Sequence, residues 1–188
     1  MYIWQHFKTI TKHKLLVMKY CFRIGLYRQG LLHDLSKYSW VEFSRGCRYY
    51  QGYRSPNNEE RAQTGVSMAW LHHKGRNKHH FEYWIDYSLK QPGKLEGMLM
   101  PRRYVAEMIM DRISASRTYL GEEYTQHEPL QYFLRSRDAL WYVHPEVLKQ
   151  MEYMLRMLDE QGEQTTLDYI KHVFLKEGNL TSCSFPSE

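Results

Sequence analysis

Histidines and carboxylates are clustered in short segments of this sequence, and both residue types bind transition-metal ions. Four histidines lie within nine residues of the segment HHKGRNKHH, at His72, His73, His79 and His80. A further histidine and an aspartate, His33 and Asp34, are adjacent in LLHDLSK. Imidazole nitrogens and carboxylate oxygens suit manganese, iron, zinc, cobalt or nickel, and such sites leave positions open for water. The residue types therefore predict a metal site.

The pair His33-Asp34 is the strongest single signal. Adjacent residues on a helix point about 100° apart, but both reach one centre if the end of the helix abuts it. The imidazole then supplies a nitrogen, and the carboxylate can bridge two ions. The alternative is a salt bridge or a cap at the end of a helix. We predict that Asp34 is both a metal ligand and a catalytic residue.

Three segments together resemble a known superfamily. LLHDLSK, HHKGRNKHHFEYW and MPRRYVAEMIMDR are similar to the signature of the HD-domain superfamily of metal-dependent phosphohydrolases, and the resemblance covers roughly residues 10–120. It is specifically a resemblance to a short uncharacterised HD-like family. It implies that His13 is the opening histidine on the first helix and that Asp111 is the closing aspartate on a later helix.

The resemblance implies a mononuclear site or, as in the dinuclear branches of the superfamily, two ions, held by residues from one set: His13, His33, Asp34, His72, His73, His79, His80 and Asp111. One member of each histidine pair is expected to ligate while the other orients it or faces substrate, and the sequence does not choose between them. His6 lies one heptad before His13 and is an alternative to it. Asp111 can instead pair with Arg112 or Arg103.

Carboxylates and cations near these segments have predicted supporting roles. Glu107 lies one turn before Asp111 and can orient a ligand, and Glu42 can carry a proton. Phosphate oxygens need cationic partners, and the predicted ones are Lys37, Arg76, Lys78 and Arg112. Lys37 is also predicted to act in catalysis. The alternative for Lys37, Arg76 and Lys78 is that they are solvated surface charges. His127, His144 and His172 lie outside the cluster and are predicted to be surface residues.

The composition restricts the class of protein. The chain has 188 residues, 43% hydrophobic and 25% charged, which fits one globular domain. No apolar stretch approaches the roughly 20 residues of a membrane span, and residues 1–10 do not form a secretory signal. Cys21, Cys47 and Cys183 have no metal-knuckle spacing, which favours free thiols in a reducing cytoplasm. The formal charge of +5 is spread along the chain, so nucleic acid is a weaker prediction than a small phosphate-bearing ligand.

Helical periodicity recurs and sustained alternation is absent, so we predict an all-α fold: one HD-like bundle over residues 1–177, then a flexible tail at residues 178–188. Helices are expected over residues 2–27, 31–38, 38–50, 58–73, 79–89, 102–120, 145–161 and 165–176. Residues 51–58, 74–78 and 91–93 are expected to form loops.

The predicted function is hydrolysis of a nucleotide or another phosphate ester, because two ions about 3.5 to 4 Å apart can activate water and clamp a phosphate. Two alternatives stay open. One is an HD-type di-iron oxygenase, and the other is a non-catalytic module that binds or sequesters a nucleotide. Homodimerisation also stays open.

Overall fold

A computed structural model describes residues 2–176 of the chain, and its fold is all-α, as the periodicity predicts. The predicted tail at residues 178–188, with Cys183, lies outside the described residues. The helices are α1 (Ile3–Arg23), α2 (Tyr27–Leu32), α3 (Trp40–Arg48), α4 (Pro56–Thr64), α5 (Met68–Lys74), α6 (Arg102–Leu120), α7 (Glu128–Ser136) and α8 (Pro145–Tyr169). Short 3₁₀ segments include Leu35–Tyr38 and Phe81–Trp84, and a π-helical turn, Ile170–Phe174, follows α8.

A small hairpin corrects the prediction of helix over residues 79–89. Strand β1 (Ile85–Tyr87) pairs antiparallel with β2 (Leu95–Gly97), with Asp86 opposite Glu96. The predicted loop at residues 91–93 is the turn between them, and Gly93 has a φ of +81°. Three-residue strands are too short to show alternation, and their partner lies about ten residues away, so local periodicity could not detect them.

The predicted single helix over residues 58–73 is instead two helices. Gly65, with a left-handed φ of +79°, ends α4. The Ser67 hydroxyl then caps α5 by accepting a hydrogen bond from the Trp70 backbone N–H at 3.0 Å. The break matters because α5 carries His72 and His73, and its separate start sets the direction in which they point. Helix α7 was not predicted.

The core is centred on α6, which packs against α1, α7 and α8. Val105, Ile109 and Ile113 on α6 are fully buried, as are Met151 and Leu155 on α8. The predicted break between residues 161 and 165 falls at Gly162 in α8, whose φ of +88° is non-helical. One face of α6 is buried in this apolar core, and the opposite face lies toward the histidines and carboxylates.

Two glycines let neighbouring helices approach α1 closely. A Cβ on Gly30 of α2 would lie 3.0 Å from the Cys21 Cβ, and a Cβ on Gly46 of α3 would lie 2.1 Å from the His6 Nε2. The residues after α2, including His33, are thereby held against α1. Within residues 2–176, each helix is too short or too polar to cross a lipid bilayer. Cys21 and Cys47 are free and buried.

Candidate metal centre

Ligand-type side chains from five parts of the chain converge beside α1 and α6. His13 comes from the middle of α1, and His33-Asp34 from the turn after α2. His73 lies near the end of α5, and His79 and His80 follow in the loop before Phe81–Trp84. Asp111 comes from α6. Apart from His72, which is described below, this cluster contains the whole predicted ligand set.

Two sets of side chains are placed so that each could hold a metal ion, and they are called the first and second ligand groups. The first consists of His13, His33, Asp34 and Asp111. The Nε2 atoms of His13 and His33 lie 2.9 and 3.5 Å from Asp111 Oδ1. The same two nitrogens lie 3.8 and 3.3 Å from Asp34 Oδ2. Each residue offers one ligand atom, and these atoms all lie within 4.8 Å of one another. This group unites the predicted opening histidine, the His-Asp pair and the closing aspartate.

The second ligand group consists of Asp34, His73, His79 and His80. Asp34 Oδ1 lies 3.3 Å from His73 Nε2 and 3.4 Å from His79 Nε2. The Nε2 atoms of His73 and His80 are 2.9 Å apart. Asp34 therefore belongs to both groups, with Oδ2 facing the first and Oδ1 facing the second.

Backbone conformation at Asp34 makes this arrangement possible. The sequence predicts that the His-Asp pair lies within a helix over residues 31–38, but α2 ends at Leu32 and Asp34 has a left-handed φ of +54°. Aspartate is one of the few non-glycine residues that tolerate this region. The reversal turns both adjacent side chains toward the same centre, which a continuous helix would splay apart.

The ligand atoms fit metal ions better than they fit one another. The Nε2 atoms of His13, His33 and His79 and the Oδ1 of Asp34 are buried without a hydrogen-bond partner of good geometry. Buried polar atoms are normally satisfied, so such a set needs an explanation. An ion with ligands at about 2.1 Å separates neighbouring ligands by roughly 3.0 to 3.4 Å. The distances given above between atoms of one group, from 2.9 to 3.8 Å, span that range.

Two glutamates hold the Nδ1 atoms of three of these histidines. Glu107 Oε1 lies 2.9 Å from His33 Nδ1 and 3.3 Å from His79 Nδ1. Glu42 Oε2 lies 2.8 Å from His73 Nδ1. Because an ionised carboxylate only accepts, each Nδ1 donates its hydrogen, and each Nε2 is left with the lone pair that a metal needs.

Structure distinguishes the members of the first histidine pair. His72 Nδ1 donates to Glu42 Oε1 at 2.7 Å, and the ring lies outside both ligand groups. His79 and His80 both enter the second group. Glu42, predicted as a proton carrier, is buried between His72 and His73 and orients them. His6, the alternative to His13, packs against the rings of Phe43 and Tyr50 and also lies outside the groups.

Electrostatics favour the ionised form of the carboxylates. Burial alone would raise the pKa of Asp34, but His33, Lys37 and His73 together hold it well below the usual range. Burial also opposes the charged form of Asp111, but the adjacent His13 and His33 hold its pKa well below the usual range. Both aspartates therefore carry the charge that a cation needs as its counterion.

The histidines differ in their electrostatics. Burial and the neighbouring His79 and His73 hold the pKa of His80 well below the usual value. Burial and the Lys37 charge likewise lower the pKa of His13. Burial also opposes the charged form of His33, but Asp34, Asp111 and Glu107 raise its pKa overall. A proton and a metal ion would thus compete for His33 Nε2.

Lys37 is the predicted phosphate-binding residue that reaches the cluster. Its Nζ lies 2.6 Å from Asp34 Oδ2, and its side chain is 28% exposed. Asp111 is 17% exposed, whereas the side chains of His33 and Asp34 are almost fully buried. The cluster therefore meets solvent on the side of Lys37 and Asp111.

The other predicted phosphate-binding residues have different contacts. Arg76 is exposed and donates to the His72 carbonyl at 3.2 Å, and Lys78 lies over the rings of Tyr83 and Tyr104. The Arg112 guanidinium packs among the rings of Phe81, Tyr132 and Phe133. Within residues 2–176, none of these three cations forms a hydrogen bond or ion pair with a cluster side chain. Consecutive residues of α6 point about 100° apart, so Asp111 faces the ligands while Arg112 faces the rings, and a phosphate-binding role for Arg112 stays a prediction.

Sequence reasoning missed several residues that support His73. The Trp70 ring stacks on His73 with 5.7 Å between centroids and meets His80 edge-on at 4.8 Å. Asn77 Nδ2 donates to Ser36 Oγ at 2.9 Å and to the His73 carbonyl at 2.8 Å. The spacing of three between Trp70 and His73 on one helix was the available signal. Ser36 and Asn77 are far apart in sequence, so no local spacing pointed to their contact.

The remaining histidines lie away from the cluster. His127 is exposed and pairs with Asp159 at 3.0 Å, and His172 is exposed. His144 is half-buried, and its Nδ1 caps α8 by accepting from the Glu146 backbone N–H at 3.2 Å.

Comparison with known proteins gives a match to a protein family. A protein-family model described as a family of unknown function, DUF5662, matches residues 2–157. No curated protein and no solved structure matches the chain. The match covers every residue of the two ligand groups.

Proposed function

The chain belongs to the DUF5662 family of unknown function, and we propose that it is a metal-dependent phosphohydrolase of the HD-domain kind. The substrate class is a phosphate ester, with nucleotides as the first candidates. The resemblance to the HD-domain superfamily is part of this proposal.

One observation carries the proposal: the two oxygens of Asp34 face two separate groups of ligand atoms. Oδ2 lies beside His13 and His33, and Oδ1 lies beside His73 and His79. A carboxylate placed in this way suits a pair of divalent ions, which when bound would activate water and stabilise charge on phosphate oxygens. Manganese, iron, zinc, cobalt and nickel all accept this donor set.

The protein's own groups have distinct roles in this reaction. Glu107 holds His33 and His79, and Glu42 holds His73, in each case with Nε2 free. Lys37 places a cation at the solvent-facing side of the cluster, where it binds a non-bridging phosphate oxygen. Burial of Glu107 and Glu42 strengthens their contacts with the histidines by excluding water. The net charge of +5 also favours an anionic substrate.

The test combines metal analysis with a screen for phosphate release. Untagged protein is prepared without chelator, analysed by elemental mass spectrometry, and assayed with each candidate metal. Nucleoside mono-, di- and triphosphates, cyclic nucleotides and sugar phosphates are the substrates. We expect about two equivalents of metal and release that is lost in Asp34→Asn. Equal release by Asp34→Asn, or no metal after reconstitution, would contradict the proposal.

A second candidate is a di-iron oxygenase, which the nitrogen-rich second group favours. That group contains three histidines and one carboxylate, a donor set that also suits iron. Oxygen uptake by iron-loaded protein with no phosphate release would replace the first proposal with this one. Two bound ions with neither activity would favour a binding module.

A further inference from the structure

One carboxylate oxygen serves both ligand groups. Glu107 Oε1 accepts from His33 Nδ1 at 2.9 Å and lies 3.3 Å from His79 Nδ1. His33 belongs to the first ligand group and His79 to the second. Their rings lie side by side, with 4.4 Å between centroids. Glu107 is buried, so water does not compete for these contacts.

We propose that Glu107 is a shared positioning residue that couples the two ion sites, so that ordering the ligands of one site also orders those of the other. This inference rests on the proposed metal centre. Glu107 does not act on substrate: it fixes the tautomer and the ring orientation of one histidine in each group. Loss of its charge should therefore weaken both sites together.

Glu42 provides a matched comparison within the same protein. It is also a buried glutamate that accepts from a ligand histidine, with 2.8 Å between Oε2 and His73 Nδ1. Its second partner, His72, lies outside both groups. Glu42 therefore supports the second site alone, and the two glutamates differ in how many sites depend on them.

The experiment measures Co²⁺ affinity by equilibrium titration, followed by the visible absorption of the bound ion. Two double variants isolate the sites: His13→Ala with Asp111→Asn leaves the second group, and His73→Ala with His80→Ala leaves the first. Glu107→Gln and Glu42→Gln are then added to each. Glu107→Gln should weaken Co²⁺ binding by about 10- to 100-fold in both backgrounds. Glu42→Gln should weaken Co²⁺ binding only in the His13→Ala, Asp111→Asn background, which keeps the second group.

Several outcomes would overturn the inference. One is an effect of Glu107→Gln in a single background, and another is identical behaviour of the two glutamine variants. A third is that the Glu107→Gln protein binds one fewer equivalent of Co²⁺ while its affinity for the remaining Co²⁺ is unchanged. Glu107 would then be a direct ligand of a separate ion, together with His33 and His79. Helical circular dichroism and urea unfolding show that each variant is folded.

The outcome separates this inference from the proposed function. If Glu107→Gln weakens both sites and no phosphate ester is hydrolysed, the coupling stands and the phosphohydrolase proposal falls. If wild-type protein hydrolyses phosphate esters and Glu107→Gln binds Co²⁺ normally, the coupling alone falls. A wild-type protein that binds no Co²⁺ would contradict both.

Discussion

Asp34 is the residue at which the two ligand groups meet. Its buried carboxylate contacts histidines on both sides, and Lys37 lies 2.6 Å from one of its oxygens. A left-handed backbone at this position directs the side chain into the cluster. Both the charge and the backbone preference of residue 34 therefore matter for the centre.

Asp34→Asn separates these two properties. Asparagine has nearly the same shape and tolerates the left-handed region, so the fold should be retained. Its neutral amide cannot bridge two cations. We expect metal affinity to fall by more than about 100-fold, beyond the effect of losing an orienting group. Elemental analysis with circular dichroism checks this, and two retained equivalents would refute it.

His6 should make stability depend on pH. Burial, together with the Lys37 charge, lowers the pKa of His6 from 6.5 to about 4. Between these values the unfolded chain binds a proton that the folded chain does not, so the free energy of unfolding falls as pH falls. The slope from this residue approaches about 1.4 kcal/mol per pH unit. Urea unfolding of wild type and His6→Gln between pH 4.5 and 6.5 should show a shallower slope for the variant. Parallel curves would exclude His6 as the cause.

At the scale of elements, the centre depends on how other segments pack around α1 and α6. Helix α1 supplies His13, and α6 supplies Asp111 and its neighbour one turn earlier, Glu107. Helix α3 contributes Glu42, which holds the end of α5 through His73. A change in the distance between α1 and α3 would therefore move ligands that neither helix carries.

Gly46→Ala tests the close approach of α3 to α1. The new Cβ would lie 2.1 Å from His6 Nε2, so the helices or the ring must move. We expect a loss of roughly 1 to 3 kcal/mol in the free energy of unfolding, as for other overpacked sites. Gly75→Ala is the control, because the nearest atom to its Cβ is 3.6 Å away. Urea denaturation measures both, and equal stabilities would contradict the packing argument.

At the scale of the whole molecule, the proposed ions would act as a clamp. The two ligand groups draw on α1, the turn after α2, α5, the loop before the hairpin, and α6. Segments that are distant in sequence would be joined through the ions. A ligand that binds only the folded state stabilises that state by mass action.

Metal removal should therefore lower the thermal stability of the protein. An ion at 100 times its Kd adds about 2.7 kcal/mol, which corresponds to roughly 5 to 10 °C in Tm for a domain of this size. We expect a drop of this order on adding chelator, with recovery when Mn²⁺ or Co²⁺ is restored in excess. Asp34→Asn should show no such response. If chelator left the Tm of the wild type unchanged, this would argue against metal binding by the two ligand groups.

Residue type and local periodicity determined much about this protein. Helices α1 and α6, which carry His13 and Asp111, follow from apolar spacing along one helix face. The all-α class follows in the same way, whereas the set of ligand-type residues was predicted from residue types together with the resemblance to the HD-domain superfamily. These features depend on interactions within a few residues, which a sequence records directly.

Only the tertiary structure decided how these residues combine. It brings His73 into the second group and leaves His72 on Glu42, and it turns Arg112 toward aromatic rings. It also breaks the helix at Asp34 and forms the hairpin. Each of these outcomes depends on contacts between segments far apart in the chain, and on a few degrees of helix phase set by packing. Local patterns carry no record of such contacts. The sequence therefore predicted which residues could bind a metal, but it could not choose between His72 and His73.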